Sequence, residues 1–346
     1  MVNMSLLGRI ASHSVLLVGD STSAELFQTG CEYFAARREL FLEEALRSVT
    51  YSATGPGRSK SPLKQYKYYH WSRAGTMHWC ELAWRSGANR TKKGRYLTAP
   101  RAPVLGSFSH YGVAGPPWWS SAYPLAPFLA NHSLEQVRQQ LPRFCESVHR
   151  HRGAGCSRGP ALIVANSGLW DLEAFWLHAE AMPASDTVST GRQPELPKSR
   201  FTRSFTSPRG FELRPEHTAR YVEGVRTFIG RLKRVFPRSR VVWRTCHPAS
   251  PARYGSTGVN ARSIQALNRA VRAHARGWGL ELFDTAAMLE QLPPSGILSA
   301  DGQPGDPRPV GTWDGRHLRP WVQIPILNAL INVLWQTIAR DARQHN

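Results

Sequence analysis

The sequence predicts a three-layer α/β domain in which a central parallel sheet lies between helices. Short runs that are apolar throughout alternate along the chain with longer segments of helical periodicity. Strands that read as continuous apolar runs are buried on both faces, which is typical of parallel sheets covered by helices. The chain has 346 residues, of which 41% are hydrophobic and 10% aromatic. This length and composition suit one large domain, 1–346, with insertions.

Five short apolar runs are the predicted strands. In chain order they lie at 15–18, 104–108, 161–165, 240–244 and 280–283, and the second is the weakest. In a parallel sheet of this kind, ligands bind beyond the carboxyl ends of the strands. The residues that directly follow these runs are therefore the expected place for any chemistry.

Five segments with helical periodicity separate or follow the strands. They lie at about 23–47, 134–150, 215–235, 260–276 and 321–341. Ser23 is the predicted N-cap of the first helix, because a serine hydroxyl can accept a hydrogen bond from a free N–H group of the first turn. The free N–H groups and the positive dipole end at that N-terminus favour negative charge on a bound oxygen.

Two segments interrupt the alternation. Residues 179–213 are rich in Pro, Ser, Thr and Arg and are predicted to be a mobile surface loop. Residues 51–100 have no clear period and are predicted to be an ordered insertion, because their aromatic side chains need packing partners. These aromatic residues are Tyr66, Tyr68, Tyr69, Trp71, Trp79 and Trp84. Such insertions often cover an active site, so a lid is the working hypothesis.

The chain is strongly basic, with 44 Lys and Arg against 24 Asp and Glu and a formal net charge of +20. Such an excess can attract a polyanionic glycan, a lipid headgroup or nucleic acid. The basic residues are scattered, however, and do not gather on one helix face or in a tail. A compositional bias is therefore the favoured explanation, and nucleic acid is not the expected partner.

Localisation is open from the sequence. No uninterrupted apolar stretch reaches the length of a bilayer span, and the first strand begins too early to leave room for a signal peptide. A cytosolic protein is one reading, and a secretory one that lacks its leader is the other. The five cysteines show no metal-ligand spacing, and no metal is expected. Cys145 and Cys156 could pair in an oxidising compartment, where the sequons at Asn3, Asn89 and Asn131 could be glycosylated.

The strongest functional signal joins the two ends of the chain. Gly19-Asp20-Ser21 directly follows the first apolar run, and Asp314-Gly315-Arg316-His317 lies near the other end. A strand that ends at this tripeptide places a serine hydroxyl at the mouth of a sheet, although a simple tight turn is the alternative. An Asp and a His three residues apart share one side of a helical turn, so the carboxylate can orient the imidazole. Together they supply a nucleophile, a base and an orienting acid.

A third element follows the strand at 161–165. Asn166 stands where a side-chain amide could donate to an oxyanion, and capping a turn is its alternative role. Gly168 would let the backbone turn sharply. Trp170 would either form a wall of a substrate pocket or pack in the core.

These motifs resemble those of the SGNH (GDSL-type) hydrolase superfamily. The matching blocks are Gly19-Asp20-Ser21, Asn166-x-Gly168-x-Trp170-Asp171 and Asp314-x-x-His317. The strand end at Trp243-Arg244-Thr245 and the Ile264-x-x-Leu267-Asn268 helix are similar to the PC-esterase branch of sugar O-acetyl esterases and O-acetyltransferases. The resemblance spans residues 15–320 and implies a three-layer flavodoxin-like fold that needs no cofactor.

The resemblance also implies roles for single residues. Ser21 would attack the acyl carbonyl, His317 would take and return the proton, and Asp314 would hold the imidazole. The Ser21 N–H group and Asn166 would form the oxyanion hole, completed by a glycine N–H group. The candidate glycine is Gly112, with Gly106 as its rival. Trp170 and Gly168 would line the substrate pocket.

The sequence therefore predicts a serine esterase that hydrolyses O-acyl groups, with O-acetylated carbohydrate or a small O-acyl ester as substrate. Two alternatives stay open at this point. One is O-acyl transfer to a glycan hydroxyl, since both reactions share an acyl-enzyme. The other is a catalytically silent basic module that binds acidic glycan or nucleic acid.

Two rival sites are weaker. Gly155-Cys156-Ser157-Arg158-Gly159 matches a nucleophile elbow by letters alone, since its strand comes after the serine instead of before it. Cys246 and His247 follow the strand at 240–244 and adjoin the predicted pocket. A packing role is favoured for Cys246.

Overall fold

One six-stranded sheet organises the computed structural model of this chain, with the strand order β2-β3-β1-β4-β5-β6. The strands are β1 (Ser14–Gly19), β2 (Met77–Glu81), β3 (Val104–Ser109), β4 (Leu162–Ala165), β5 (Arg240–Arg244) and β6 (Glu281–Phe283). The structure describes residues 13–35, 77–81, 104–110, 112–114, 159–181, 211–249, 257–291, 311–312 and 316–344. The predictions for the helix at 134–150 and for the sequons lie outside these residues, as do 182–210 of the mobile loop predicted at 179–213 and 155–158 of the Gly155–Gly159 motif. Residues 179–181 of the predicted loop belong instead to a helix, Leu169–Ala181.

All five predicted strands are present, and they pair in parallel. The sixth strand, β2, pairs antiparallel with β3 at one edge of the sheet. It lies inside the predicted insertion at 51–100, the rest of which is outside the described residues. The alternation of polar and apolar letters in Met-His-Trp-Cys-Glu is too short to stand out among the surrounding aromatic and basic residues.

Helices cover both faces of the sheet, which confirms the predicted three-layer α/β fold. They are α1 (Ser21–Ala35), α2 (Leu169–Ala181), α3 (Pro215–Val235), α4 (Ala261–Ala275), α5 (Thr285–Glu290) and α6 (Pro320–Gln344). Four of the five predicted helices are found, and the fifth is the one at 134–150. The helix predicted at 215–235 has those bounds, whereas the first begins two residues earlier than expected and the last ends three residues later.

The apolar strands have apolar residues at successive positions because each of these strands contributes side chains to two cores. On β1, Leu16 and Val18 pack into a core with α2, α3 and α4, whereas Val15 and Leu17 pack into a second core with α1 and α6. Successive side chains of a strand point to opposite faces, so both sets must be apolar. Full burial of one such side chain is worth about 1.5–3 kcal/mol. The central strand therefore holds the sheet and, with it, the position of the turn that follows Gly19.

Local sequence explains where the helices begin. Pro215 opens α3, where its missing N–H group costs nothing. Asn260 caps α4 by accepting a hydrogen bond from the Ser263 N–H group at 2.9 Å. Asp284 caps α5 in the same way through the Ala287 N–H group at 3.1 Å. These caps fix the ends of helices that follow β5 and β6.

One described helix, α6, is long and apolar enough between 320 and 340 to cross a membrane by length and composition alone. This qualifies the sequence-based expectation that no segment reaches such a length. Half of its most apolar window is buried inside the protein. Val322, Ile326 and Leu330 pack on the sheet, and a core helix of a soluble protein passes the same test. The helix is therefore weak evidence for a membrane span.

Candidate active site

The turn between β1 and α1 carries the predicted nucleophile, Ser21. The residue that caps this helix is Asp20, whereas the sequence analysis had predicted Ser23. The Asp20 Oδ1 atom accepts hydrogen bonds from the Thr22 N–H group at 2.9 Å and from the Thr22 hydroxyl at 2.6 Å. Its backbone oxygen accepts the N–H groups of Ser23 and Ala24. Ser21 therefore stands in the first turn of α1, at the carboxyl edge of the sheet.

Only glycine fits before this turn. A Cβ atom at Gly19 would lie 2.2 Å from the Ser23 Oγ atom and 3.1 Å from the Asn166 backbone oxygen. Both distances are shorter than ordinary contacts, and the second partner is backbone that cannot rotate away. The glycine of Gly-Asp-Ser is thus required for the close approach of the β1 and β4 strand ends.

Ser21 and His317 meet in the structure, although 296 positions separate them in the sequence. The Ser21 Oγ atom lies 2.8 Å from the His317 Nε2 atom. His317 is 8% exposed. Arg316 and His317 lie in a bend that precedes α6, and the rest of the helical turn predicted from Asp314 to His317 lies outside the described residues. The third predicted member, Asp314, lies outside the described residues, and its role stays a prediction.

Asn166 lies directly after β4, and its amide is held by Arg244. The Nδ2 atom donates to the Arg244 backbone oxygen at 2.9 Å, and the Oδ1 atom accepts from the Arg244 Nη2 atom at 3.1 Å. These two bonds fix which end of the amide is the donor. Because an amide nitrogen carries two hydrogens, one N–H bond of Asn166 remains for a further acceptor.

Arg244 joins the Asn166 turn to the nucleophile turn. Its Nη2 atom also donates to the Thr22 hydroxyl at 2.7 Å and to the Ser23 hydroxyl at 3.0 Å. Arg244 is 2% exposed. Burial lowers the pKa of Arg244, and the negative charge of Asp20 opposes that shift. A buried charge is kept only where partners compensate it, and here the compensating partners are the residues on both sides of Ser21.

The loop that carries Gly112 is held by Asp171. The Oδ1 atom of this buried carboxylate accepts the N–H groups of Val113 at 2.8 Å and Ala114 at 2.9 Å, and Oδ2 accepts the Ser167 hydroxyl at 2.6 Å. Burial raises the pKa of Asp171, and the three hydrogen bonds oppose that rise. The carboxylate therefore ties the Gly112 loop to the turn after Asn166. The rival glycine, Gly106, lies inside β3.

The two predicted pocket residues are both covered. Trp170 is 1% exposed, and the Arg316 guanidinium carbon lies 5.5 Å from the centre of its ring. Gly168 is buried with a φ of 135°, and a Cβ atom there would lie 2.5 Å from the Cys246 Sγ atom. Neither residue offers surface to a ligand in this structure. Their assignment to a substrate pocket stays a prediction, whereas the sharp turn expected at Gly168 is present.

Replacement of Gly168 by alanine tests this turn. We expect Gly168→Ala to lower the free energy of unfolding by about 1–3 kcal/mol, because it combines a strained backbone with a clash against sulfur. Urea denaturation followed by circular dichroism measures the change. Gly277→Ala is the matched control, since a Cβ atom there meets nothing within 4 Å. Equal effects of the two substitutions would contradict the assignment of strain to Gly168.

Cys246 lies beneath the site as a buried thiol. Its Sγ atom is 3.0 Å from the Ser167 backbone oxygen, and burial raises the pKa of the thiol to about 12. A thiol of this kind stays protonated and unreactive at neutral pH, which agrees with the packing role expected for it. Among the described residues, no group of three or more His, Cys, Asp or Glu side chains could hold a metal ion.

Sequence reasoning missed the organising roles of Arg244 and Asp171. Both had been noted only as letters of a motif. Their positions could have identified them. Arg244 is a charged residue at the carboxyl end of a buried strand, and Asp171 lies shortly after the carboxyl end of another. A charge there must find partners inside the protein. The structure thus defines a parallel α/β protein with a serine–histidine pair at the carboxyl edge of its sheet.

No family model matches the chain, and no curated protein matches it. Solved structures that are similar in fold include a lipase/acylhydrolase from Enterococcus faecalis, with 9% identity, a TM-score of 0.38, and coverage of 94% of this chain and 96% of the other. Est24, a carbohydrate acetylesterase from Sinorhizobium meliloti, has 13% identity, a TM-score of 0.35, and coverage of 93% and 98%. The periplasmic domain of a lipopolysaccharide acetyltransferase from Salmonella ser. Paratyphi A has 11% identity, a TM-score of 0.39, and coverage of 96% and 89%.

These three structures are of proteins described as a lipase/acylhydrolase, a carbohydrate acetylesterase and a lipopolysaccharide acetyltransferase. With TM-scores below 0.5, they do not assign an activity to this chain. They also do not bear on the PC-esterase branch, which stays a prediction.

Proposed function

We propose that this chain is a serine esterase of SGNH type that works through a covalent acyl-enzyme at Ser21. The observation that carries the proposal is the 2.8 Å hydrogen bond between the Ser21 Oγ atom and the His317 Nε2 atom at the N-terminus of a helix. A nucleophile within hydrogen-bond reach of a base is the signature of this chemistry. Hydrolases of this type bring the two groups together from distant parts of the chain, as here.

The geometry supports a two-step reaction. Ser21 attacks the acyl carbon while His317 accepts the hydroxyl proton, and His317 then gives that proton to the departing alcohol. Water attacks the acyl-enzyme in the second step, with His317 again accepting and returning the proton. In this proposal Asp314 holds the imidazole in the correct tautomer.

Three donors are proposed to hold the oxyanion of the tetrahedral intermediate. The Ser21 N–H group lies at the N-terminus of α1, where the dipole favours negative charge. Asn166 contributes the N–H bond that Arg244 does not use. Gly112 contributes its backbone N–H group from the loop that Asp171 holds. Removal of one such donor typically costs about 10²–10³-fold in kcat.

The proposed substrate class is an O-acetyl ester of a carbohydrate, on the resemblance of the motifs to sugar O-acetyl esterases. The same acyl-enzyme would serve acyl transfer if a sugar hydroxyl replaced water in the second step. Incubation with an O-acetylated oligosaccharide, with and without an unacetylated acceptor, separates the two reactions. Hydrolysis yields acetate, and transfer yields an acetylated acceptor.

A fluorophosphonate probe tests the nucleophile without knowledge of the natural substrate. The Ser21 oxygen displaces fluoride from phosphorus, and the serine proton passes to His317. We expect one adduct per chain, mapped to Ser21 by mass spectrometry, and no adduct on folded Ser21→Ala. Ser239→Ala is the matched control, because its hydroxyl donates to the Pro160 backbone oxygen before β5 begins, away from the site. An unlabelled wild-type protein, or an adduct retained by Ser21→Ala, would contradict the proposal and favour a basic binding module.

A further inference from the structure

His247 is a buried histidine that the reaction scheme above does not use. It lies three residues after Arg244 and is 2% exposed. Its Nε2 atom lies 2.5 Å from the Arg316 backbone oxygen. A carbonyl oxygen only accepts hydrogen bonds, so the Nε2 atom carries the proton. Burial lowers the pKa of His247 to about 4, with the Arg316 hydrogen bond opposing that shift, so the ring is neutral at neutral pH.

This hydrogen bond acts on the residue directly before His317. The peptide unit that joins Arg316 to His317 is planar. Fixing the Arg316 carbonyl therefore also fixes the amide nitrogen of His317 and limits the direction of its Cα–Cβ bond. The two rings are also close enough that a charge on His317 opposes protonation of His247.

Contacts of its side chain also hold Arg316 in place. Its Nη1 atom lies 3.1 Å from the Glu173 Oε2 atom, in a pair whose side chains are 9% and 14% exposed. The guanidinium also lies over Trp170. Both partners belong to α2. Arg316 is thus held between α2 and the segment that follows β5, and its backbone is not free to follow a moving His317.

No helix or strand holds the base in place. Arg316 and His317 lie in a bend, and α6 begins only at Pro320. The backbone on the far side of His317 is fixed by the bridge between Thr312 and Leu318. Among the described residues, His247 supplies the hydrogen bond to the carbonyl that immediately precedes the base.

We propose that His247 is a positioning residue that holds His317 against Ser21 through the Arg316 carbonyl. This inference rests on the proposed function, because it needs His317 to act as a base. A displacement of about 1 Å in a catalytic group can cost about 10²-fold in rate. Substrate binding does not depend on the orientation of the imidazole, so the loss is expected in kcat and not in KM.

Substitutions that keep or remove the donor test the inference. A glutamine amide reaches about as far as the Nε2 atom, whereas leucine has no donor and asparagine reaches only about as far as Nδ1. With p-nitrophenyl acetate, we expect His247→Leu and His247→Asn to lower kcat by about 10- to 100-fold with KM unchanged within about twofold. We expect His247→Gln to retain kcat within about threefold of the wild-type value. The rate of fluorophosphonate labelling of Ser21 should fall in the same order.

Thr245→Val is the matched control for a general loosening of this strand end. Thr245 is buried beside Arg244, but its hydroxyl bonds to Asp284, so kcat should stay near the wild-type value. The comparison of glutamine with asparagine keeps the test decisive if the leucine variant does not fold.

The possible results distinguish a failure of the positioning role from a failure of the esterase proposal. A His247→Leu variant with wild-type kcat, a loss that appears in KM, or equal losses in all four variants would overturn the positioning role while leaving the esterase proposal standing. A wild-type protein that neither reacts with the fluorophosphonate nor turns over the ester would overturn both.

Discussion

Replacement of His317 by alanine is expected to lower kcat for p-nitrophenyl acetate by roughly 10³- to 10⁴-fold. The imidazole is within 2.8 Å of the Ser21 hydroxyl, and a serine hydroxyl without a base is a poor nucleophile at neutral pH. KM should change little, because the imidazole acts on the proton and not on the acyl group. Steady-state kinetics measures the loss, with circular dichroism to confirm that the variant is folded.

Two controls separate a lost base from a disturbed fold. His274→Ala removes an exposed histidine that bonds to the Ala270 backbone oxygen on α4, and it should keep the wild-type rate. Added imidazole should restore part of the His317→Ala rate, since the free base can enter the space that the side chain left. A folded His317→Ala variant that turns over at the wild-type rate would remove His317 from the mechanism.

The meeting of Ser21 and His317 at one edge of the sheet could be predicted because the signals that mark these residues are local. A run that is apolar on both faces identifies a buried strand, and the first polar residues after it must lie at the edge of the sheet. Ser21 meets that description directly. His317 was found only by its spacing from Asp314, which lies outside the described residues, so the helical turn expected between them stays a prediction. The structure shows that the Ser21 and His317 side chains meet, and their catalytic roles stay part of the proposal.

The residues that hold the site together could not be predicted in the same way. Asp171 acts on N–H groups 57 and 58 positions away, and Arg244 acts on hydroxyls more than 220 positions away. No periodicity or spacing encodes such distances. An arginine at the end of an apolar strand indicates a charge that needs partners, but the sequence does not say which residues supply them. β2 was missed for a different reason. An edge strand pairs with one neighbour only and therefore needs little apolar sequence.

Mild acid is expected to destabilise the protein through two buried histidines, His110 and His247. Burial lowers the pKa of each from 6.5 to about 4. For His110, the negative charge of Asp20 and a hydrogen bond with the Gly112 backbone oppose that shift. His110 is fully buried, and its ring stacks on Phe228 with the ring centroids 4.3 Å apart.

The direction of the change in the free energy of unfolding depends on whether the folded or the unfolded state binds the proton. Between pH 6.5 and 4, the unfolded chain takes up a proton at each histidine and the folded protein does not, so the free energy of unfolding falls as the pH falls. One pKa unit corresponds to about 1.4 kcal/mol, so each histidine contributes a loss of about 2 kcal/mol by pH 5 and about 3 kcal/mol by pH 4. Asp171 works in the opposite direction, because burial raises the pKa of its carboxyl and the folded protein gains that proton first. That compensation builds up as the pH falls from the raised pKa of the folded protein towards the ordinary value of 3.8, so it offsets part of the loss from the histidines.

Urea denaturation at pH 7 and at pH 5 measures this loss. We expect the two histidines together to remove about 4 kcal/mol between the two pH values, a large part of the 5–15 kcal/mol typical of a folded domain, and Asp171 to return some of it. His110→Phe keeps an aromatic ring against Phe228 but cannot titrate, so it should lose about 2 kcal/mol less than the wild-type protein over the same interval. Phe228→Leu is the matched control, because it loosens the same packing without removing a titrating group and should keep a large pH dependence. A His110→Phe variant with the same pH dependence as the wild-type protein would show that His110 takes up its proton in the folded state, and the burial of that ring could not then be a source of acid sensitivity.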